Sequence, residues 1–490
     1  MSLDQLLQPL HASQSGKREP RQQRLYQLLK DGILAGALAP GQRLPASRVL
    51  AADHGLARNS VLHAYQQGVA EGFLVADRQG TRVALLPVQA AVMPADAVAR
   101  PVLSRRAASL QRRSGEPVLP FAPGVPDLAA FPWARWARCL HQAWGEVSAR
   151  QLAYAPPGGE PSLRRAVADH LRAHRGVACG PEQVFIVAGG QMALDACARL
   201  LADPGDRAWL ENPGYPVARS TMLAAGLDVV PVAVDRAGMA PGEALWRDAP
   251  PRLVYLTPSH QYPLGAVLSL ERRLDFLRRV TAGDGWIIED DYDSEFNHVR
   301  PGQRPLPAIQ GLQAGAPVIY VGTFSKLLYP GLRLAYMVVP PWAAGELGRA
   351  IESLYRSGQA VEQRALASFL EGGRLTAHLR RMAPIYRARQ AALRQALHQR
   401  FGAGAAILGG AAGLHLTLVL PEGSADTAIV RRAAELGVAA RALSEYCHPA
   451  GPIAANGLVL GYGMADAPRI PELVGRLATA VEAAARDGHG

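Results

Sequence analysis

Lysine is almost missing from this chain. Only Lys17, Lys30 and Lys326 occur among 52 basic residues, so past residue 30 a single lysine stands in a chain that otherwise uses arginine. Arginine serves as a surface cation but keeps its proton, so it cannot form an imine with an aldehyde; that chemistry needs a primary amine. Cysteine is also scarce. Cys139, Cys179, Cys197 and Cys447 are scattered with no metal-ligand spacing, which argues against a disulfide framework or a zinc site and for a reducing compartment. No apolar run approaches the roughly 20 residues of a membrane helix. The first twenty residues are polar and Gln-rich, unlike a secretory signal, so a cytoplasmic protein is expected. No G-x-G-x-x-G follows an early strand, which disfavours a nicotinamide enzyme.

What is present is a chain of 490 residues with 49% hydrophobic content, enough for large cores and too long for one small domain. The net charge of +11 is uneven. Residues 1–115 hold 15 Lys+Arg against 7 Asp+Glu, and the remaining residues carry only +3. Such asymmetry points to a polyanion partner for the N-terminal part.

The first unit spans residues 18–84. Arg21 to Leu34 has Leu25, Leu28, Leu29 and Ile33 at helical spacing, and predicts an amphipathic helix. Ser47 is read as the N-cap of a short helix through Val49, Leu50 and Ala51-Ala52. After Gly55 a further helix runs from Arg58 to Glu71 with Val61, Leu62, Tyr65 and Val69 facing inward. Helix, glycine turn, helix is the helix-turn-helix arrangement. Two short β-like runs around Gly80 follow, a wing carrying Arg78 and Arg82. Arg58, Asn59 and Ser60 open the second helix, where they can reach phosphates or base edges in the major groove. Residues 85–118, rich in Ala, Pro and Arg, read as an interdomain linker with a short helix near residues 107–112 and basic pairs at Arg105-Arg106 and Arg112-Arg113.

Residues 119–490 alternate strand-like and helical stretches. Val184 to Val187, Leu253 to Leu256, Trp286 to Ile288 and Val318 to Val321 are apolar runs, with helices at Met192 to Ala202 and Leu270 to Thr281. This is an α/β pattern with a largely parallel sheet, whose ligand lies beyond the carboxyl ends of the strands. Those ends carry Gly189-Gly190-Gln191, Thr257-Pro258-Ser259-His260, Glu289-Asp290-Asp291-Tyr292 and Thr323-Phe324-Ser325-Lys326. A pyridoxal phosphate site needs an amine, a carboxylate for the pyridine nitrogen, an aromatic over the ring and an anion cradle. Lys326 supplies the amine and Asp290 or Asp291 the carboxylate. Tyr292 can donate to the ring hydroxyl, and Tyr215 can stack. Gly189-Gly190-Gln191 opens a helix able to hold phosphate, and Arg333 can pair with it.

Two resemblances sharpen this reading. Gly36 to Arg48 and Arg58-Asn59-Ser60-Val61 with Ala64-Tyr65 and Glu71-Gly72 resemble a GntR-type winged helix. That resemblance implies DNA contacts from Arg43, Ser47, Arg48, Arg58, Asn59, Ser60 and the wing. Ala46 stands where a Ser is common, and Ala57 where a Ser usually caps the recognition helix. The second unit resembles a fold-type-I, aspartate-aminotransferase-like domain, with Tyr154 to Gly159 and Leu163-Arg164 matching its substrate-side opening. Thr257 to Pro263, Glu289 to Phe296 and Gly322 to Lys326 are similar to MocR-type regulators, which fuse the two domains. The resemblance implies a multidomain chain: a winged helix-turn-helix, then residues 119–490 with a mostly parallel large domain and a smaller α+β subdomain over about 345–490. It implies that Lys326 carries the imine, Asp290 pairs with the pyridine nitrogen, Tyr292 contacts the ring hydroxyl, Tyr215 stacks, and Thr323, Arg333, Gly190 and Gln191 bind phosphate. It also implies a homodimer. One departure stands out: the late stretch Gly457 to Gly463 has no Arg to hold a substrate carboxylate, and only Arg441 lies upstream.

The expected function is a pyridoxal-phosphate-dependent regulator binding operator DNA, its second domain sensing the cofactor or an amine or amino-acid effector. The alternatives are a competent aminotransferase with an accessory DNA-binding domain, and a repressor that senses pyridoxal phosphate alone.

Overall fold

The computed structural model describes all residues except 1–2, 11–19, 87–101, 103, 105, 108–117, 154–155, 297–305, 357, 452–454 and 488–490. Most of the helix expected near 107–112 and the pair Arg112-Arg113 therefore lie outside the described residues. The chain divides into two compact units, Met1–Val102 and Leu103–Gly490.

In the first unit, helices Arg21–Leu34, Ser47–Asp53 and Arg58–Ala70 are followed by strands β1 (Leu74–Asp77) and β2 (Gly80–Val83), which pair antiparallel around Arg78-Gln79. A helix at Leu3–Leu7, outside the bounds that the sequence pattern suggests, adds Leu6 and Leu7 to the same core as Leu25, Leu29, Ile33, Leu50, Val61 and Tyr65. Two expectations are corrected. Ser47 is the first helical residue, not the cap: the N-cap is Ala46, extended behind Pro45, and its carbonyl accepts from Val49 and Leu50 with no side-chain bond. Leu62 and Val69 do not face inward. The buried face of Arg58–Ala70 is Val61, Ala64, Tyr65 and Gly68, and Leu62 and Val69 are exposed. Small residues at 64 and 68 let neighbouring elements approach closely, Leu74 packing against Gly68, so the helix turns its small face inward rather than its leucine.

The second unit is built on an eight-stranded sheet. Its strands are β3 (Val184–Val187), β4 (Arg207–Asn212), β5 (Asp228–Asp235), β6 (Gly238–Met239), β7 (Leu253–Leu256), β8 (Trp286–Asp291), β9 (Val318–Thr323) and β10 (Ala335–Val338), in spatial order β3-β10-β9-β8-β7-β4-β5-β6. The centre from β9 to β5 is parallel; β3, β10 and β6 pair antiparallel at the edges. β3 and β7 are buried along their whole length, as expected of strands covered on both faces. A second sheet of β11 (Ile407–Leu408), β12 (His415–Val419), β13 (Arg441–Ala442) and β14 (Gly457–Gly461) runs in order β11-β12-β14-β13, all antiparallel. Helices Arg374–Phe401 and Ile470–Asp487 share its core through Leu393, Leu397, Leu473 and Leu477. Among the described residues, no helix is long and apolar enough to cross a membrane. The parallel order brings the carboxyl ends of β4, β7, β8 and β9 to one edge, where the chemistry-bearing residues collect.

Candidate functional site

Strand alternation separates the two adjacent acids of β8. Asp291 shares a face with Tyr320 of β9. It accepts from the Arg175 guanidinium at 2.7 Å and from the Tyr320 hydroxyl at 2.6 Å. Burial pushes its pKa up, but the Arg175 charge together with hydrogen bonds from Ser294, Tyr320 and Arg175 outweighs this and leaves it below the usual aspartate value. Asp291 is thus already paired. Asp290 points to the opposite face, where its carboxylate accepts from the Tyr255 hydroxyl at 2.7 Å. Burial pushes it up to about 7, while Tyr255 and Lys326 act in the opposite sense. A desolvated acid with no guanidinium bonded to it suits a cationic nitrogen. The choice between the two acids, open on spacing alone, acquires a physical ground.

Lys326 lies three residues beyond the end of β9. Its Nζ donates to the Gly124 carbonyl at 2.6 Å, so the amine is held at a defined place against the 119–128 segment. Thr323 ends β9, and its hydroxyl accepts from the Ser325 amide at 3.2 Å. Helix Gly190–Leu200 begins after Gly189, which lies at φ 94° with no side-chain cap, so its first amides remain open to an anion. Arg333 donates to the Ala188 carbonyl at 3.1 Å. A Cβ on Gly189 would lie 2.8 Å from the Arg333 guanidinium, so glycine at 189 is what lets the guanidinium reach this helix start. Gly190 is half-buried and Gln191 exposed.

The rings form a connected set. Tyr215, at the start of helix Pro216–Ala224, meets Tyr262 edge-to-face at 5.8 Å. Tyr262 also touches Tyr292 at 5.6 Å, His415 at 5.0 Å and Tyr446 at 5.2 Å, and its hydroxyl is 2.9 Å from that of Tyr446. Tyr292 donates to the His260 carbonyl at 2.9 Å and lies 3.0 Å from its Nδ1. His260 in turn rests on Asp293 at 3.1 Å, and its donor atoms, those of Asp293 and those of His415 lie within 4.8 Å of one another. The His415 Nε2 faces the Pro263 carbonyl at 3.1 Å, whereas the buried His260 Nε2 has no hydrogen-bond partner among the described residues.

Glu211, next to the last residue of β4, is a buried carboxylate that accepts from the Thr257 hydroxyl at 2.5 Å and from Gln261 at 3.3 Å. Burial pushes it up to about 7. Thr257 accepts from the Tyr262 amide at 3.1 Å, so Glu211 anchors the loop that carries the central tyrosine. Sequence reasoning assigns no role to Tyr255, Tyr262, Glu211, Arg175 or Tyr446. His260, Tyr262 and Asp293 do lie inside the motifs that carry the resemblance; for Tyr255 the only sign is a polar atom in an otherwise apolar strand.

At the late stretch two of the glycines are held by close backbone packing. A Cβ on Gly461 would lie 2.3 Å from the Ala122 carbonyl, and one on Gly463 2.1 Å from that of Val125. The 122–125 backbone lies flush on these glycines, leaving no room for a side chain. Arg441 is half-buried on β13, opposite Val459. Tyr154 and Ala155 of the substrate-side opening lie outside the described residues.

In the first unit Arg43, Arg48, Arg58, Asn59 and Arg78 are exposed, and Ser47, Ser60 and Arg82 are half-buried. Arg43 and Arg82 are bridge partners, and Arg82 donates to Gln79 at 2.5 Å within the wing. Helix Arg58–Ala70 starts at Ala57 with no side-chain cap.

The chain matches two families: "Aminotransferase class I and II" over residues 134–450 and "Bacterial regulatory proteins, gntR family" over residues 21–83. It is 38% identical over 469 residues to a probable rhizopine catabolism regulatory protein, MocR, of Rhizobium meliloti, covering 94% of each chain. It is 33% identical to the pyridoxine biosynthesis transcriptional regulator PdxR of Corynebacterium glutamicum, covering 92% of this chain and 93% of that protein. Among solved structures, LysN, an alpha-aminoadipate aminotransferase of Thermus thermophilus complexed with N-(5'-phosphopyridoxyl)-L-leucine, superposes with a TM-score of 0.70 at 29% identity, covering 78% of this chain and 98% of that one.

Proposed function

The chain belongs to the family of transcription regulators that join a GntR-type winged helix to an aminotransferase-like domain, and from that premise we propose how its residues divide the work. Its DNA-binding domain is the GntR unit, and its cofactor is pyridoxal 5'-phosphate. The donor set fits that cofactor: a half-buried amine, a desolvated acid with no guanidinium on it, and an arginine seated at an open helix start over a glycine that admits no side chain. Bound there, the cofactor supplies an aldehyde that a primary amine can attack and an electron-withdrawing ring.

Lys326 would hold the aldehyde carbon, and Asp290 the protonated ring nitrogen. Tyr292 would orient the ring hydroxyl, Tyr215 would cover the ring face, and Thr323, Arg333, Gly190 and Gln191 would take the phosphate. Arg43, Ser47, Arg48, Arg58, Asn59, Ser60, Arg78 and Arg82 would contact operator DNA, with domain bounds at 18–84, 85–118 and 119–490. The effector is an amine or amino acid that competes with Lys326 for the cofactor, and it changes DNA affinity by binding the two states of the protein differently. The working form is a cytoplasmic homodimer, which suits paired half-sites.

The observation that carries this reading is β8, where Asp291 is consumed by Arg175 while Asp290 is kept desolvated on the side where Lys326 acts on it. The test is the absorbance of the purified holoprotein beside Lys326→Ala, with borohydride reduction and peptide mapping. A visible chromophore and a label on residue 326, both lost in the variant, are expected. An unchanged band in the variant would sink the assignment. Sustained turnover of an amino donor and keto acid, without any effect of either on DNA affinity, would favour an enzyme instead.

A further inference from the structure

Residues 116–490 carry a net charge of only +3, yet that charge is segregated. Helix Trp133–Gly145 and helix Arg374–Phe401 together contain no Asp or Glu, in a chain that has 41 of them. The long helix alone holds seven arginines. The two helices line a pair of adjoining clefts that share Arg135 and Arg374. Arg138 and Gln142 complete one; Trp133, His378 and Arg381 complete the other, and neither is lined by a carboxylate.

Arg135, Arg138 and Arg381 are exposed, as are Arg380 and Arg387 on the long helix. The neighbouring Glu146 is occupied by Arg364 at 2.5 Å. His378 is held neutral, down to about 4, by burial and then by the charge of Arg381. Arginines gathered this way, without a carboxylate among them, repel one another, and that cost is offset when an anion sits between them.

We propose that this face is a second contact surface for the phosphate backbone of duplex DNA, engaging the sequence that flanks the operator. Guanidinia present paired donors to phosphate oxygens, and the exposed Trp133 ring beside them offers a flat apolar wall to the sugar edge. Such contacts carry no sequence preference and act through counterion release. Tethering to the winged helix raises the local concentration of DNA at this face, so individually weak contacts suffice. The proposal rests on DNA binding by the first unit, and the experiment separates the two.

Full-length holoprotein and the double variant Arg135→Gln/Arg138→Gln are titrated over a range of salt against a short operator duplex and against the same duplex extended on both sides by random sequence. Both side chains are exposed on one face of their helix, so the variant is expected to fold; circular dichroism and cofactor absorbance check this. On the extended duplex the native protein should show the steeper salt dependence. The variant should be shallower there by up to about 2 in log–log slope, at about 0.9 for each phosphate left unneutralised, and unchanged on the short duplex. Equal native slopes on both duplexes, or a variant unchanged on the extended one, overturn the proposal. So does a variant whose sedimentation shows altered self-association, since the face would then belong between copies. Failure of the winged-helix reading looks different: neither protein would select the short operator duplex over a scrambled one, while the slope difference on extended DNA would persist.

Discussion

Replacing Asp290 by Asn should stabilise the cofactor-free protein and weaken the holoprotein, two effects of opposite sign from one carboxylate. Burial raises the Asp290 pKa from 3.8 to about 7. Between those values the folded protein keeps a proton that the unfolded chain has released, so stability falls as pH rises through the window and the loss is complete above 7. At about 1.36 kcal/mol per pKa unit the full penalty is about 4 kcal/mol. Asp290 retains some solvent access, which reduces this to about 2–4 kcal/mol. Asparagine carries no charge at any pH, and its side-chain oxygen can still accept from the Tyr255 hydroxyl. Glu211, raised by burial with a smaller push from Asp290, is relieved of that neighbour. The cofactor-free variant should therefore gain in urea midpoint over the native protein at pH 8 and lose that advantage by pH 4. In the holoprotein the native acid faces a cationic nitrogen instead of a low-dielectric wall, and the variant forgoes that pairing. Its affinity for pyridoxal phosphate, followed by absorbance, should fall at least about tenfold at pH 8, the equivalent of about 1.4 kcal/mol. A cofactor-free variant that is less stable at pH 8, or one that binds cofactor as tightly as the native protein, would refute the assignment of Asp290.

Asp291 should behave in the opposite way. Arg175→Ala leaves it buried without its guanidinium, at a cost of about 3–5 kcal/mol of folding stability, measurable as a lowered urea midpoint with or without cofactor. Gly189→Ala forces a Cβ into the left-handed region and against Arg333. About 1–2 kcal/mol of backbone strain is expected, together with a weaker cofactor complex that added inorganic phosphate competes with less well. Ala57→Ser supplies the missing cap of helix Arg58–Ala70 and should add about 1 kcal/mol to the first unit, seen as slowed amide exchange in the helix's first turn.

In the N-terminal unit, the order of elements follows from spacing and glycine turns, because local periodicity and punctuation suffice for short helices and a hairpin. Which side of a helix is buried does not follow. Leu62 and Val69 are expected inside because they are apolar, but Ala64 and Gly68 occupy the packed face, where Leu74 closes on Gly68. Hydrophobicity alone favours the larger residue; the hairpin's close approach favours the smaller, and only the assembled unit shows which effect wins. The cap at Ala46 escapes the sequence for a similar reason. A Ser beside a helix start reads as a cap by type, whereas the extended backbone behind Pro45 sets the helix start one residue earlier.

The paired acids of β8 mark the boundary of what a sequence can say about the site. Alternation guarantees that Asp290 and Asp291 point to opposite faces, so the sequence contains the fact that they differ in role. It does not contain which face is which. That is decided by residues distant in the chain: Tyr320, in register beside Glu289 on β9, and Arg175 claim one face, while Tyr255, in register with Ile288 on β7, claims the other. A one-residue slip of β8 against its neighbours would exchange the two acids, putting the guanidinium against Asp290 and leaving Asp291 toward Lys326. The function of each carboxylate is therefore a property of strand register, and register is fixed by the apolar residues Ile287 and Ile288, both fully buried. Polar substitution of either should disturb cofactor binding, followed by absorbance, as severely as the loss of Asp290 itself.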